Sequence, residues 1–282
     1  MLLKAPRQWV ASPLGYHVLL GLLCKEGGTK SEKYTRIFNK LKNNEGFTGK
    51  TKLFVSPTYK MEDNSIDVDV EQTDFSKNLN AFIDWINKDG PFKSADIKPS
   101  SETESIMANL ILFEHNWKKS DNGGAVMKIY NSFNYTSDIK YEARILEIPL
   151  SPPLKLVLIL PSDTHLFKNL FSRMSSEGFA AAVSSIQPIF TVSSKFKAPN
   201  FVIDSTVQVI ENVKALKKAS LVQYGSICVD KKGTVVKILS CLSSPIVEPP
   251  SIFESLGPAI GAVSFCIISR DTPVITGEFT QQ

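Results

Sequence analysis

The stretch Ile106–Phe113 (IMANLILF) is apolar at every position but Asn109. So short a run, with no polar side to turn toward water, is a β-strand buried on both faces. Such a strand belongs in the middle of a large sheet, with neighbours on both edges and packed layers on both sides. The rest of the chain has to supply them.

It does so unevenly. Helical signals gather in the first third. Ser12-Pro13-Leu14 reads as a helix start, a capping serine followed by proline at the first helical position. Leu14, Val18, Leu19, Leu22 and Leu23 then recur at helical spacing up to Gly27-Gly28. Thr29 is a candidate cap for a second helix carrying Tyr34, Ile37, Phe38 and Leu41, and Asp74–Trp85 carries a third helical stripe. Lys52–Ser56 is a short strand. After Pro99 strands dominate. Ile145–Ile148 and Leu154–Leu160 form a hairpin around Pro152-Pro153, and Phe190–Lys197, Phe201–Asp204, Ser226–Val229, Val235–Leu239 and Val263–Ile268 follow, with one helix expected over Leu166–Val183. Without repeats or low-complexity tracts, residues 1–282 read as one α+β domain.

Several functions are poorly matched by this chain. The net charge of +4 comes from lysines spread in short pairs, without the aromatic interleaving of a nucleic-acid surface. No stretch reaches membrane-span length. Cys24, Cys228, Cys241 and Cys266 lack metal-type spacing and sit among apolar neighbours, as buried free thiols do. No metal or cofactor is expected. His17, His115 and His165 have no nucleophile motif beside them, so the chain is not expected to be an enzyme and no catalytic residue is assigned. Met1-Leu2-Leu3-Lys4-Ala5-Pro6 lacks the apolar core of a secretory signal. Asn134-Tyr135-Thr136 makes Asn134 a candidate glycosylation site.

Seven segments, in order and with matching spacing, resemble the serpins. Ser12-Pro13-Leu14-Gly15 is similar to the family's SPLS segment, and Leu79–Ile97 to the helix lying over its main sheet. Asn109 to Trp117 (NLILFEHNW) is similar to NAIYFKGxW. Leu146–Leu150 with Leu156–Pro161 resembles the LPY…SMLIILP hairpin, and Phe196–Phe201 the LPKF segment. Val229–Thr234 (VDKKGT) resembles the VDEEGT hinge, and Pro258–Gly277 the C-terminal strands. The resemblance implies a serpin-like fold: a large mixed main sheet, further sheets and helices, and an exposed reactive loop near the C-terminus. Against the family's length, the chain is expected to lack part of the first helix and some internal segments.

The resemblance also implies a function. In serpins a protease cuts a bait loop, which then enters the main sheet as a new central strand and drags the acyl-enzyme with it. Counting forward from Gly233 and back from Pro258 places the scissile bond at the same position, Val247-Glu248. Val247 fits a serine protease of elastase-like or small-apolar specificity, and an extracellular location is expected, with the cytoplasm as the alternative. The hinge comprises Lys231, Gly233, Thr234, Val235, Val236 and Lys237, and the sheet-opening region Ser12, Asn109, Trp117 and Gln223. If Thr234 points inward, Val236, Ile238, Ser240, Leu242 and Ser244 do too, a small or apolar face suited to burial. Some departures from the family weigh against a working trap. The hinge is bulky, Lys231 replaces an acid whose loss from a semi-buried pair costs roughly 3–5 kcal/mol, Gln223 replaces a histidine, and Gly15 replaces a serine. Inhibition is therefore expected to be weak or absent, with a non-inhibitory serpin-fold binding or structural protein as the alternative. Ser240–Pro250, at the bait-loop position and proline-rich, is expected to be exposed.

Overall fold

The structure is a computed structural model that describes residues 2–4, 8–23, 28–59, 68–77, 80–88, 102–119, 125–126, 131–134, 143–161, 200–210, 219–244 and 262–280. In chain order the elements begin with β1 (Leu2–Lys4), β2 (Trp9–Ala11), α1 (Pro13–Leu23), α2 (Gly28–Leu41), β3 (Phe47–Val55), β4 (Asp69–Gln72) and α3 (Asn80–Asn87). Then come β5 (Ser105–Asn116), β6 (Lys118–Lys119), β7 (Ala125–Val126), β8 (Asn131–Asn134), β9 (Ala143–Pro149) and β10 (Leu154–Pro161). The last are β11 (Phe201–Ile210), β12 (Ser220–Val229), β13 (Gly233–Ser244), β14 (Ala262–Ser269) and β15 (Thr272–Thr280).

The strands form a seven-stranded sheet, ordered β1-β11-β12-β13-β5-β3-β4, a six-stranded sheet, β2-β15-β14-β10-β9-β8, and a small β6-β7 ladder. The main sheet is mixed, since β4 runs parallel to β3 while its other pairings are antiparallel. β5 lies inside it and is buried on both faces, as its composition requires. Met107, Ile111 and Phe113 face the interior between the sheets, while Ile106, Ala108 and Leu110 pack with Phe82 and Ile86 of α3 on the other side.

α1 starts as its sequence predicts. The Gly15 N–H donates to Ser12 Oγ at 2.9 Å and the Tyr16 N–H to the Ser12 carbonyl at 3.1 Å, capping the first turn. Leu14 through Leu20 are all buried, because this helix is wedged into the interior rather than laid on it. α2 begins at Gly28, so Thr29 sits in its first turn and not at its cap. α3 starts later than the stripe from Asp74 suggests. Asp74 Oδ1 accepts from the Ser76 N–H at 3.1 Å and its carbonyl from the Lys77 N–H at 3.0 Å, which commits this stretch to a turn.

The strands exceed their sequence signals wherever a long neighbour carries them. β3, β11, β12 and β13 all outrun the predicted Lys52–Ser56, Phe201–Asp204, Ser226–Val229 and Val235–Leu239. The β9-β10 hairpin closes where expected, the Leu154 N–H donating to the Ser151 carbonyl at 2.9 Å. The predicted helix Leu166–Val183 and strand Phe190–Lys197 lie outside the described residues.

Candidate functional site

The site is the centre of the main sheet and the strand that fills it. β13 pairs with β12 from Ser220↔Ser243 to Val229↔Thr234, and with β5 from Gly233↔Asn116 to Ser244↔Ser105. Its faces alternate as the sequence predicts. Thr234, Val236, Ile238, Ser240 and Leu242 are buried toward the interior, while Val235 is exposed and Lys237 half-buried on the opposite face. Lower on that face Leu239 and Cys241 are also buried, because α3 covers them.

This placement corrects the expectation of an exposed Ser240–Pro250. Ser240, Cys241 and Leu242 are 0%, 8% and 4% exposed, and the strand continues to Ser244. An apolar face alternating at every second residue is satisfied by the sheet interior and not by water. Residues 245–250, with Val247 and Glu248, lie outside the described residues.

At one end β13 is joined to β12 by a tight turn. The Asp230 N–H donates to the Gly233 carbonyl at 3.0 Å, while Asp230 Oδ1 accepts from the N–H groups of Lys232 at 2.7 Å and Gly233 at 3.1 Å. Those two N–H groups hold the Asp230 carboxyl below the usual range. Trp117 fastens the turn to β5, its indole Nε1–H donating to the Asp230 carbonyl at 2.7 Å and its backbone N–H to the Lys232 carbonyl at 2.9 Å. A side chain at Gly233 would collide with the His115 carbonyl oxygen, so glycine is needed for this close approach. Lys231 is exposed at the turn, with its charge in solvent. His115 bridges to the second sheet, Nδ1 lying 3.0 Å from Ser151 Oγ and its ring edge-on to Trp117, and burial holds its pKa down.

In the middle of β13 a polar row crosses the sheet, Thr51–Asn109–Ser240–Gln223 in register on four adjacent strands. Gln223, fully buried, joins three elements. Its Oε1 accepts from the Ser12 N–H, and its Nε2 donates to the Ser12 carbonyl and to Ser240 Oγ, each at 2.9 Å. Asn109 Nδ2 donates to Thr51 Oγ1 at 2.9 Å, while Asn109 Oδ1 has no hydrogen-bond partner among the described residues. Ser12 Oγ donates to the Val274 carbonyl of β15 at 2.9 Å. The structure thus brings Ser12, Asn109 and Gln223 together but sets Trp117 apart, eight residues on from Asn109 and just past the end of β5 at the turn. Ser240 completes the row and was missed as a site residue. Its position on the inward face was readable from the alternation, but its pairing with Gln223 depends on register.

His17 is buried and stacked on Tyr34, and burial lowers its pKa to about 4. Cys241 and Cys266 are buried free thiols whose pKa burial raises; Cys228 is half-buried, its pKa raised by burial and by the nearby Asp230 and Asp204. Cys24, His165 and the Asn134 side chain lie outside what is described. Among the described residues no helix is long and apolar enough to cross a membrane, and no group of three metal-ligating side chains converges.

No protein-family model and no curated protein sequence matches the chain. Solved structures do. The fold is similar to a cleaved Serpin 42Da (TM-score 0.69, 14% identity, covering 98% of this chain and 92% of that one). It is similar to the thermophilic serpin tengpin in its latent state (TM-score 0.67, 14% identity, 97% and 92% covered). It is also similar to thyroxine-binding globulin complexed with a thyroxine–fluorescein conjugate (TM-score 0.61, 14% identity, 85% and 93% covered).

Proposed function

We propose, from the serpin fold that this chain has, that it is a protease-bait protein of the serine-protease-inhibitor type. It acts without a catalytic site of its own. Its bait bond is Val247-Glu248, offered to a serine protease with a small apolar subsite, and the hinge segment Gly233–Ser244 is the strand that fills the main sheet. One observation carries this reading. β13 is accommodated along its whole length, with both edges paired and every inward side chain from Thr234 to Leu242 buried. The bulk of Val236 and Ile238, a kinetic liability on entry, is absorbed once the strand is seated. An extracellular setting suits a protein that meets such proteases.

The test is incubation of the intact chain with elastase-like proteases, followed by SDS electrophoresis and mass spectrometry. A covalent complex well below one-to-one yield is expected, with the remainder cut between Val247 and Glu248. No cut at that bond and no complex with any small-apolar-specific protease would overturn the reading. A second reading, a non-inhibitory serpin-fold binding or structural protein, is supported by β13 already filling the sheet of a chain whose sequence is continuous through residues 244–262. A strand already in place has no insertion left to drive.

A further inference from the structure

Where α1 packs on α2, a histidine lies buried. His17 is 8% exposed, its ring stacked on Tyr34 of α2 with centroids 4.4 Å apart and planes 20° apart, and Tyr16 stands edge-on to it at 4.8 Å. Its Nδ1 has no hydrogen-bond partner among the described residues. Tyr34 is itself buried, and its neighbour on β14 is the thiol of Cys266, which burial keeps uncharged. The charges that act on the His17 ring are both positive, those of Lys30 in α2 and of the chain's amino terminus. The carboxylates of Glu32 and of Asp271 on the β14-β15 turn lie instead on the exposed side of α2, with Arg36 and Lys33. A neutral imidazole suits such a site. An imidazolium does not, because burial strips its hydration and its charged neighbours repel it. The face of Tyr34 attracts a cation, but that attraction is small beside the loss of water around a buried charge.

We propose that His17 makes the packing of α2 on α1 acid-labile: at neutral pH the uncharged ring joins the two helices, and a proton taken up in acid drives them apart. The device goes beyond the bait reading and does not depend on it. Val18 of α1 and Phe38 and Leu41 of α2 belong to one core, so parting the helices opens that core to water. Burial first, then Lys30 and the amino terminus, hold the pKa of the folded ring down at about 4 against the ordinary 6.5. Above pH 6.5 the folded and the opened chain both carry a neutral imidazole, and the ring costs nothing. As the pH falls from 6.5 to 4 only the opened chain takes the proton. Stability is therefore lost across that window, and the loss levels off below it.

The experiment compares the intact protein with His17→Phe, which keeps an aromatic ring on Tyr34 and removes the titrating nitrogens. Urea unfolding is followed at about pH 7 and about pH 4.5. Between the two, the unfolding constant of the unmodified protein should rise about fiftyfold more than that of His17→Phe. The other titrating groups are common to both proteins, so their contributions cancel in the comparison. Native-state hydrogen exchange should show the extra loss of protection in the amides of α2. If His17→Phe does not fold, the His17 imidazole is titrated by NMR in the unmodified chain, where it should stay neutral down to about pH 5. Equal acid sensitivity of the two proteins would overturn the inference. So would α2 amides whose protection has the same pH dependence in both, or a His17 imidazole that titrates at its ordinary value in the folded chain.

Discussion

β13 is held in two places by different means. At the turn, the Asp230 carboxylate and the Asp230 and Gly233 backbone hold it through local bonds, and Trp117 fastens it from across the sequence with its indole and backbone N–H groups, in a stretch that is partly exposed. In the middle, Ser240 is held by Gln223, Ser12 and the empty space at Gly15, fully buried and gathered from positions more than two hundred residues apart. Water can replace a lost partner at the turn but cannot reach one in the middle. The turn therefore fixes where the strand begins and its register, and the buried row decides whether the strand stays.

The strongest way to break that contrast is Gln223→Ala. It removes three buried hydrogen bonds, orphans the N–H of Ser12 and leaves its carbonyl only the bond from the Tyr16 N–H, and should cost about 3 kcal/mol in urea unfolding. A loss no larger than that of a surface substitution would mean the row is not a clasp. Trp117→Phe keeps most of the ring and removes the bond to the Asp230 carbonyl. At the partly solvated turn it should cost about 1 kcal/mol, and a loss equal to that of Gln223→Ala would erase the distinction between the two places. The smallest effect is expected from a single cut between Ser244 and Pro249. With β13 already seated, the melting temperature should change by no more than about 2 °C. A rise of tens of degrees would show instead that the strand enters only after cleavage.

Much of the fold was legible because its signals are local or periodic. Ile106–Phe113 has no polar face, so β5 had to be interior; Ser12-Pro13 caps a helix wherever that helix packs; and the alternation from Thr234 to Leu242 fixed which side chains of β13 turn inward. Less was legible where partners are distant. The exposure expected of Ser240–Ser244 followed from its place before a proline-rich stretch, and tertiary pairing overruled it.

The sequence by itself determined the elements, the two-faced burial of β5 and a β13 face fit for the interior, because these depend on side-chain chemistry at fixed short spacing. The tertiary structure alone decided that β13 is seated between β12 and β5, that Gln223 reaches both Ser12 and Ser240, and that Gly15 has no room for a methyl group. Those facts turn on register and on tenths of an ångström between distant segments. A hydrogen bond or a steric contact depends on such distances, and no one-dimensional pattern encodes them.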